Sequence, residues 1–212
     1  GREPLFPLGG IAAHGYLEIA LPEAGFDLLK LEDALNQTIA AHPMLRMRLT
    51  PDGRQEVLEE VPRYVITCHR GPEETSRQRA KMQSEILSAE TWPIFRICVT
   101  EGDNSQRRFL HISFDILLFD ITSLGLWLRQ WHELYSGART GIATPYRHFS
   151  QYIAEAETRK KSPQAQADKT WWMDRAVTLP RAPRLPLARQ PKELTPPTIH
   201  REQAQIEPKV WH

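Results

Sequence analysis

Residues 107–135 read RRFLHISFDILLFDITSLGLWLRQWHELY, and this stretch decides the fold. Phe109, His111 and Ser113 alternate with Leu110, Ile112 and Phe114, so both faces are apolar or small, as in a strand covered on both sides. Leu124, Trp127, Leu128, Trp131 and the pair Leu134–Tyr135 then recur at helical spacing. The pattern predicts a buried strand, a tight turn and an amphipathic helix. Between them fall Asp115, Asp120 and Ser123, two carboxylates and a hydroxyl within one of the least polar runs of the chain. An ionised carboxylate taken out of water is costly unless it is paired, so these residues require a structural partner or a function.

Upstream, residues 13–21 alternate as a strand. Asp27 is placed to cap a helix over 28–41, with Leu28, Leu31, Leu35 and Ile39 on one face, and His42–Pro43 ends it. Residues 44–50 predict a strand with Leu45, Met47 and Leu49 on one side and Arg46 and Arg48 on the other. Asp52–Gly53 signals a hairpin, and residues 55–60 return. Further strands are expected at 64–70 and 94–100, with a polar helix over 72–89 and Trp92–Pro93 breaking the pattern.

Downstream, Ser136–Gly137 stops the helix, and two more helices are expected over 146–160 and about 164–176. Residues 1–10, with Pro4, Pro7, Gly9 and Gly10, read as an irregular lead-in. From Thr178 onward Pro180, Pro183, Pro186, Pro191, Pro196 and Pro197 exclude a helix or a central strand. The element order gives an α/β domain, a mixed β-sheet packed with helices. Residues 1–177 form this lobe, and 178–212 an extended proline-rich segment.

The chain has 212 residues, with 27 Lys and Arg against 26 Asp and Glu. That balance argues against a nucleic-acid surface; Arg159–Lys160–Lys161 is short and suits a helix C-terminus. Cys68 and Cys98 sit in separate apolar runs and read as small core residues, without the neighbours a metal ligand set needs. Low cysteine content, no signal-like start and no long apolar span point to a soluble, cytoplasmic setting without membrane contact. The missing initiator Met, and Trp211–His212 where a new apolar element begins, suggest a piece of a larger polypeptide. Gly9–Gly10 precedes a strand rather than a helix, so nucleotide binding has little support.

Asp115 ends the predicted strand and Asp120 opens the helix, so both can face one side of the turn, where α/β folds place ligand sites. A carboxylate pair can divide into an acid and a base. The plainer alternative is that Asp120 or Ser123 caps the helix and Asp115 holds the turn against a buried arginine. His111 shares a strand face with Asp115; it either orients a carboxylate or is a hydrogen-bonded core histidine. His14, Tyr16 and Glu18 share a face that lines a cavity or forms a sheet edge. His42 reads as a turn residue, and His69, His132, His148 and His200 have no evident partner.

SFDILLFDITS (113–123) contains Asp115-x-x-x-x-Asp120-x-x-Ser123, and this resembles the DxxxxDxxS signature of the heterocyclization domains of nonribosomal peptide synthetases. These are variants of the condensation domain, whose own signature is HHxxxDG. AAHGYLE (12–18), AHPMLRMRL (41–49), DGRQ (52–55), WPIFRI (92–97) and ELY (133–135) resemble the same family in the same order. The resemblance implies a chloramphenicol acetyltransferase-like fold of two lobes in a V, of which this chain is the N-terminal lobe. It implies a reaction in which an acyl group on one carrier is joined to Cys, Ser or Thr on the next. The side chain then cyclises onto the new amide with loss of water, giving a thiazoline or oxazoline.

The implied partners are upstream and downstream peptidyl carrier domains, an adjacent adenylation domain and the C-terminal lobe. The 4'-phosphopantetheine arm belongs to the carriers; the chain itself needs no cofactor and no metal. Asp115, Asp120 and Ser123 are the expected catalytic motif, and His111 and His14 the candidate substrate-binding residues. In the family Asp120 is taken to pair with an arginine, and further cyclodehydration residues lie in the second lobe. Aligned on the shared aspartate, Asp115 replaces the first histidine of HHxxxDG and Ile116 the second. Isoleucine moves no proton, so histidine-assisted condensation at this position is excluded. Rival readings are a carrier-docking or scaffold lobe without chemistry, and an ordinary condensation-type acyltransferase lobe using another base.

Overall fold

The computed structural model describes residues 14–102, 107–142 and 149–181, together with Pro186 and Glu207. The lead-in over 1–10 and most of the proline-rich segment over 178–212 lie outside the described residues, as do His148 and His200. Six strands are seen: β1 (His14–Leu21), β2 (Met47–Leu49), β3 (Gln55–Val57), β4 (Thr67–Arg70), β5 (Phe95–Glu101) and β6 (Arg108–Asp115). Five helices accompany them: α1 (Leu28–Ala41), α2 (Glu74–Ser84), α3 (Ile121–Ser136), α4 (Phe149–Lys160) and α5 (Pro163–Ala176).

The main sheet has the order β1-β6-β5-β4, with β2 and β3 forming a separate hairpin. β6 pairs antiparallel with β1 and β5, while β4 runs parallel to β5, so the sheet is mixed. β6 is thus a central strand, buried from Leu110 to Asp115, as its two-sided pattern requires.

One face of the sheet is apolar. Leu110, Ile112 and Phe114 of β6 and Phe95, Ile97 and Val99 of β5 join Leu31, Leu35 and Ile39 of α1 and Leu124, Trp127, Trp131 and Leu134 of α3 in one hydrophobic cluster. Each large side chain removed from water here contributes about 1.5–3 kcal/mol before entropy is charged against it. Phe114, Phe119, Trp127 and Trp131 form a row, with successive ring centroids 5.6, 5.0 and 5.4 Å apart. The indole N–H groups are satisfied: Trp127 donates to Thr38 Oγ1 and Trp131 to the Leu31 carbonyl, both at 2.9 Å. These bonds join α3 to α1.

Local signals were mostly obeyed. Asp27 caps α1, its carboxylate accepting the Lys30 N–H at 3.0 Å, and α3 stops at Gly137, which takes the left-handed φ of 83°. Several expected elements are shorter. Residues 43–46 form a 3-10 turn rather than strand, and only Met47–Leu49 pair with β3. Pro43 favours that turn, and the Arg46 guanidinium is drawn to the carbonyls of Ile39, Ala40 and Leu58. The strand expected over 64–70 begins at Thr67, because Tyr64 bonds Asn36 through its backbone and Ile97 through its hydroxyl instead of a strand ladder. The polar helix expected over 72–89 spans only Glu74–Ser84.

Gly15 is required by packing rather than by its dihedrals. A Cβ there would meet the Phe114 ring at 2.4 Å. Gly15→Ala must displace Phe114 from the aromatic row, and the expected cost is about 1–3 kcal/mol, read as a lower urea midpoint with an unchanged slope.

Candidate functional site

The second face of the sheet is polar, and α2 covers it. His111 and Ser113 lie there, each 0% exposed, and Asp115 ends the row at 3%. On β1, His14 stands opposite Asp115, Tyr16 opposite Ser113 and Glu18 opposite His111. On β5, Arg96 stands opposite Ser113 and Cys98 opposite His111. The sequence placed His14, Tyr16 and Glu18 on one face, and His111 with Asp115 on one face. Pairing of β1 with β6 makes these a single surface.

A chain of hydrogen bonds crosses it. Arg79 of α2 grips Glu18 in a bidentate pair at 2.7 and 2.6 Å. The Tyr16 hydroxyl lies 3.0 Å from Glu18 Oε2 and 2.7 Å from His111 Nδ1. His111 Nε2 lies 2.8 Å from Thr100 Oγ1, which is 2.9 Å from Thr75 Oγ1 on α2. His111 is therefore a hydrogen-bonded core histidine, not a side chain presented to a substrate. Beside it, Cys98 packs on Met82, and burial pushes the Cys98 thiol up to about 11, which suits its expected core role. Cys68 is only half-buried. Ser113 Oγ, fully buried between Tyr16 and Arg96, has no hydrogen-bond partner among the described residues.

The two carboxylates of the motif part company. Asp115 remains at the buried end of β6; its N–H donates to the Ile94 carbonyl and its Oδ1 accepts the Leu117 N–H at 3.0 Å. Its carbonyl accepts the Leu118 N–H, closing a turn that carries the chain out of the sheet. Asp120 emerges on the surface as the N-cap of α3, accepting the Ser123 N–H at 2.7 Å. That bond, more than any other contact, holds its carboxyl below the usual range. No ion pair joins Asp120 to an arginine among the described residues. Of the two carboxylates only Asp115 is buried, on the polar face of the sheet; helix N–H groups and water make the surface the cheaper place for Asp120. Ile116 and Leu117 of the turn and Ile121 of α3 are exposed around this turn, at 53%, 36% and 83%.

Arg79, Thr75 and Thr100 had no visible signal in the sequence, since they join the hydrogen-bond chain through His111 only in the tertiary fold. A cleft of about 330 Å³ lies elsewhere, lined by Asn36, Ile39, Arg46 and Glu59 among others. No three His, Cys, Asp or Glu residues are grouped to hold a metal, and no helix is long and apolar enough to cross a membrane, among the described residues.

The architecture and this strand–turn–helix site define a class. The condensation domain profile matches residues 14–208, and the chain belongs to the condensation-domain family. Pyochelin synthetase PchF of Pseudomonas aeruginosa (strain UCBPP-PA14) is 33% identical over 90% of this chain. Phenyloxazoline synthase MbtB of Mycobacterium sp. (strain MCS) is 29% identical over 92%. The chain spans only 11% and 16% of those relatives. Among solved structures, the EpoB cyclization-docking bidomain from Sorangium cellulosum superposes with a TM-score of 0.78 and 26% identity, covering 92% of this chain and 40% of that one. The X-domain from teicoplanin biosynthesis, 18% identical with a TM-score of 0.67, shares the fold over 85% of this chain and 42% of its own. The likeness to heterocyclization domains read from the DxxxxDxxS run is thus upheld among the relatives, and the chain has the extent of an N-terminal lobe.

Burial holds the folded-state pKa of His111 below its usual 6.5; Glu18 pulls it up, while Arg79 and His69 push it further down. The unfolded chain therefore binds this proton first. The stability His111 contributes is complete above about pH 6.5 and is lost as pH falls toward the lowered folded value. Glu18, lowered chiefly by Arg79, adds a separate loss below its usual 4.5. Urea unfolding at pH 7.5 and 5.5 is expected to show a fall in stability that is smaller in His111→Gln. For the cap, Asp120→Ala is expected to lower the thermal midpoint, and Asp120→Ser to retain most of it.

Proposed function

We propose that this chain is the N-terminal lobe of a heterocyclization domain in a nonribosomal peptide synthetase. It acts on an acyl thioester and a Cys, Ser or Thr thioester, each on the 4'-phosphopantetheine arm of a peptidyl carrier domain, one upstream and one downstream. The amino acid is supplied by an adenylation domain. The amine attacks the acyl carbonyl, an amide forms and the upstream carrier thiol leaves. The side-chain thiol or hydroxyl then adds to the amide carbonyl, and loss of water creates the C=N bond of a thiazoline or oxazoline.

The observation that carries this reading is the turn after β6. The central strand delivers the buried Asp115 and then, at its exposed mouth, Ile116, which has no titratable group. A lobe that relied on a histidine at this position would need an ionisable side chain there. Asp115 braces the turn, Asp120 and Ser123 start α3, and the chemistry draws on positioning of the two thioesters, which can supply a large part of the barrier. The relatives named for pyochelin, a phenyloxazoline and cyclization support the same reading.

The exposed apolar side chains of α4 and α5, among them Tyr152, Trp171, Trp172 and Met173, favour a second reading, in which the lobe contributes protein docking and no chemistry. Mass spectrometry of carrier-bound products, with the complete polypeptide that contains this chain, separates the two. Wild type is expected to yield an amide that then loses one water, with the loss abolished in folded Asp115→Ala and strongly reduced in Asp120→Ala and Ser123→Ala. An amide that never dehydrates would leave a plain condensation lobe. No amide from a folded, carrier-binding protein would favour docking.

A further inference from the structure

The polar face beneath α2 assigns a role to a residue outside the motif. We propose that Tyr16 is a positioning residue of the site: by accepting the Nδ1–H of His111, it ties β1 to β6 and holds the sheet end that carries Asp115. The proposal rests on the reading of Asp115 as part of the site.

The direction of every proton in the chain follows from its end. Glu18, ion-paired with Arg79, only accepts. The Tyr16 hydroxyl, 3.0 Å from it, must therefore give Glu18 its single proton. Its oxygen then meets His111 Nδ1, 2.7 Å away, as an acceptor, so that Nδ1 carries the imidazole proton. Nε2 is left bare and accepts from Thr100, which accepts from Thr75 in turn. All groups are satisfied with a neutral ring in one tautomer.

This matters for Asp115 because of where Tyr16 sits. Among the described residues β1 is an edge strand, held laterally only by β6. Its last pair with β6 is His14 opposite Asp115, and Tyr16 is the next residue of β1 on that same face. On the opposite face Gly15 offers no side chain, only space for the Phe114 ring. The Tyr16–His111 bond is thus a side-chain tie between the two strands close to the Asp115 end. Through Thr100 and Thr75 it also engages β5 and α2.

Tyr16→Phe removes the tie and leaves Nδ1 facing only the Glu18 carboxylate, 3.6 Å away. That charge keeps the ring proton on Nδ1, Nε2 still accepts from Thr100, and Glu18 keeps Arg79. The test is ¹⁵N NMR of histidine-labelled complete polypeptide, with the His111 signal identified by its loss in His111→Gln, alongside the carrier-product assay. Wild type is expected to show Nδ1–H, with the Nδ1 signal shifted in Tyr16→Phe, which lacks the hydroxyl acceptor. The variant should form cyclised product roughly 10- to 100-fold more slowly, with KM for the carrier substrates little changed and faster hydrogen exchange at the Asp115 amide. An Nε2–H ring in wild type would overturn the relay. A shifted Nδ1 signal with wild-type turnover in Tyr16→Phe would overturn the positioning role. Wild-type turnover in Asp115→Ala would overturn the function proposed for Asp115, and positioning through it, while the tautomer still decides the relay on its own.

Discussion

β6 is buried on both faces, and the rest of the lobe is arranged to meet the different demands of those faces. The apolar face needs only bulk, and α1 and α3 supply it with leucine, isoleucine and two stacked tryptophans. The polar face is more demanding, because each buried polar group left unpaired costs about 1–3 kcal/mol. His111 at zero exposure must find partners for both ring nitrogens, and they come from two different neighbouring strands. This need explains α2. The helix is mostly polar and docks through Arg79 on Glu18, Glu85 on Arg96 and Thr75 on Thr100, with Met82 on Cys98 as its apolar anchor.

The site grows from the exit of that strand. A buried strand end followed by a helix beginning at the surface must change environment within a few residues, and the motif is the device that does so. Asp115 turns the chain with its own carboxylate and carbonyl, while Asp120 receives it as a helix cap. Two aspartates that look alike in the sequence therefore have opposite surroundings, one enclosed and one solvated. Ile116, Leu117 and Ile121 stand between and beside them as an exposed apolar rim.

The family relationship sets this in scale. Solved relatives extend to more than twice the part that this chain covers. The described lobe contains the strand–turn–helix and its polar underside. Its α4 and α5 bury no residue fully, although both carry aromatic side chains. The fold persists at 18% identity, where side-chain chemistry has diverged. The layered sheet is therefore the common frame.

The element order, the two-sided burial of β6, the cap at Asp27, the stop at Gly137 and the family were legible in the sequence, because these are written in local periodicity and short motifs. The sequence also showed that His14, Tyr16 and Glu18 share one face and His111 and Asp115 another. Only the tertiary structure decided that the two faces are one surface, since strand pairing across some 95 residues of separation leaves no local trace. The same holds for Arg79, which reaches Glu18 over 61 residues from a helix with no apolar stripe to announce what it covers. The depths of Asp115 and Asp120 were likewise unreadable. Both lie in the same apolar run, and burial is set by where the turn leaves the sheet, not by the residues on either side.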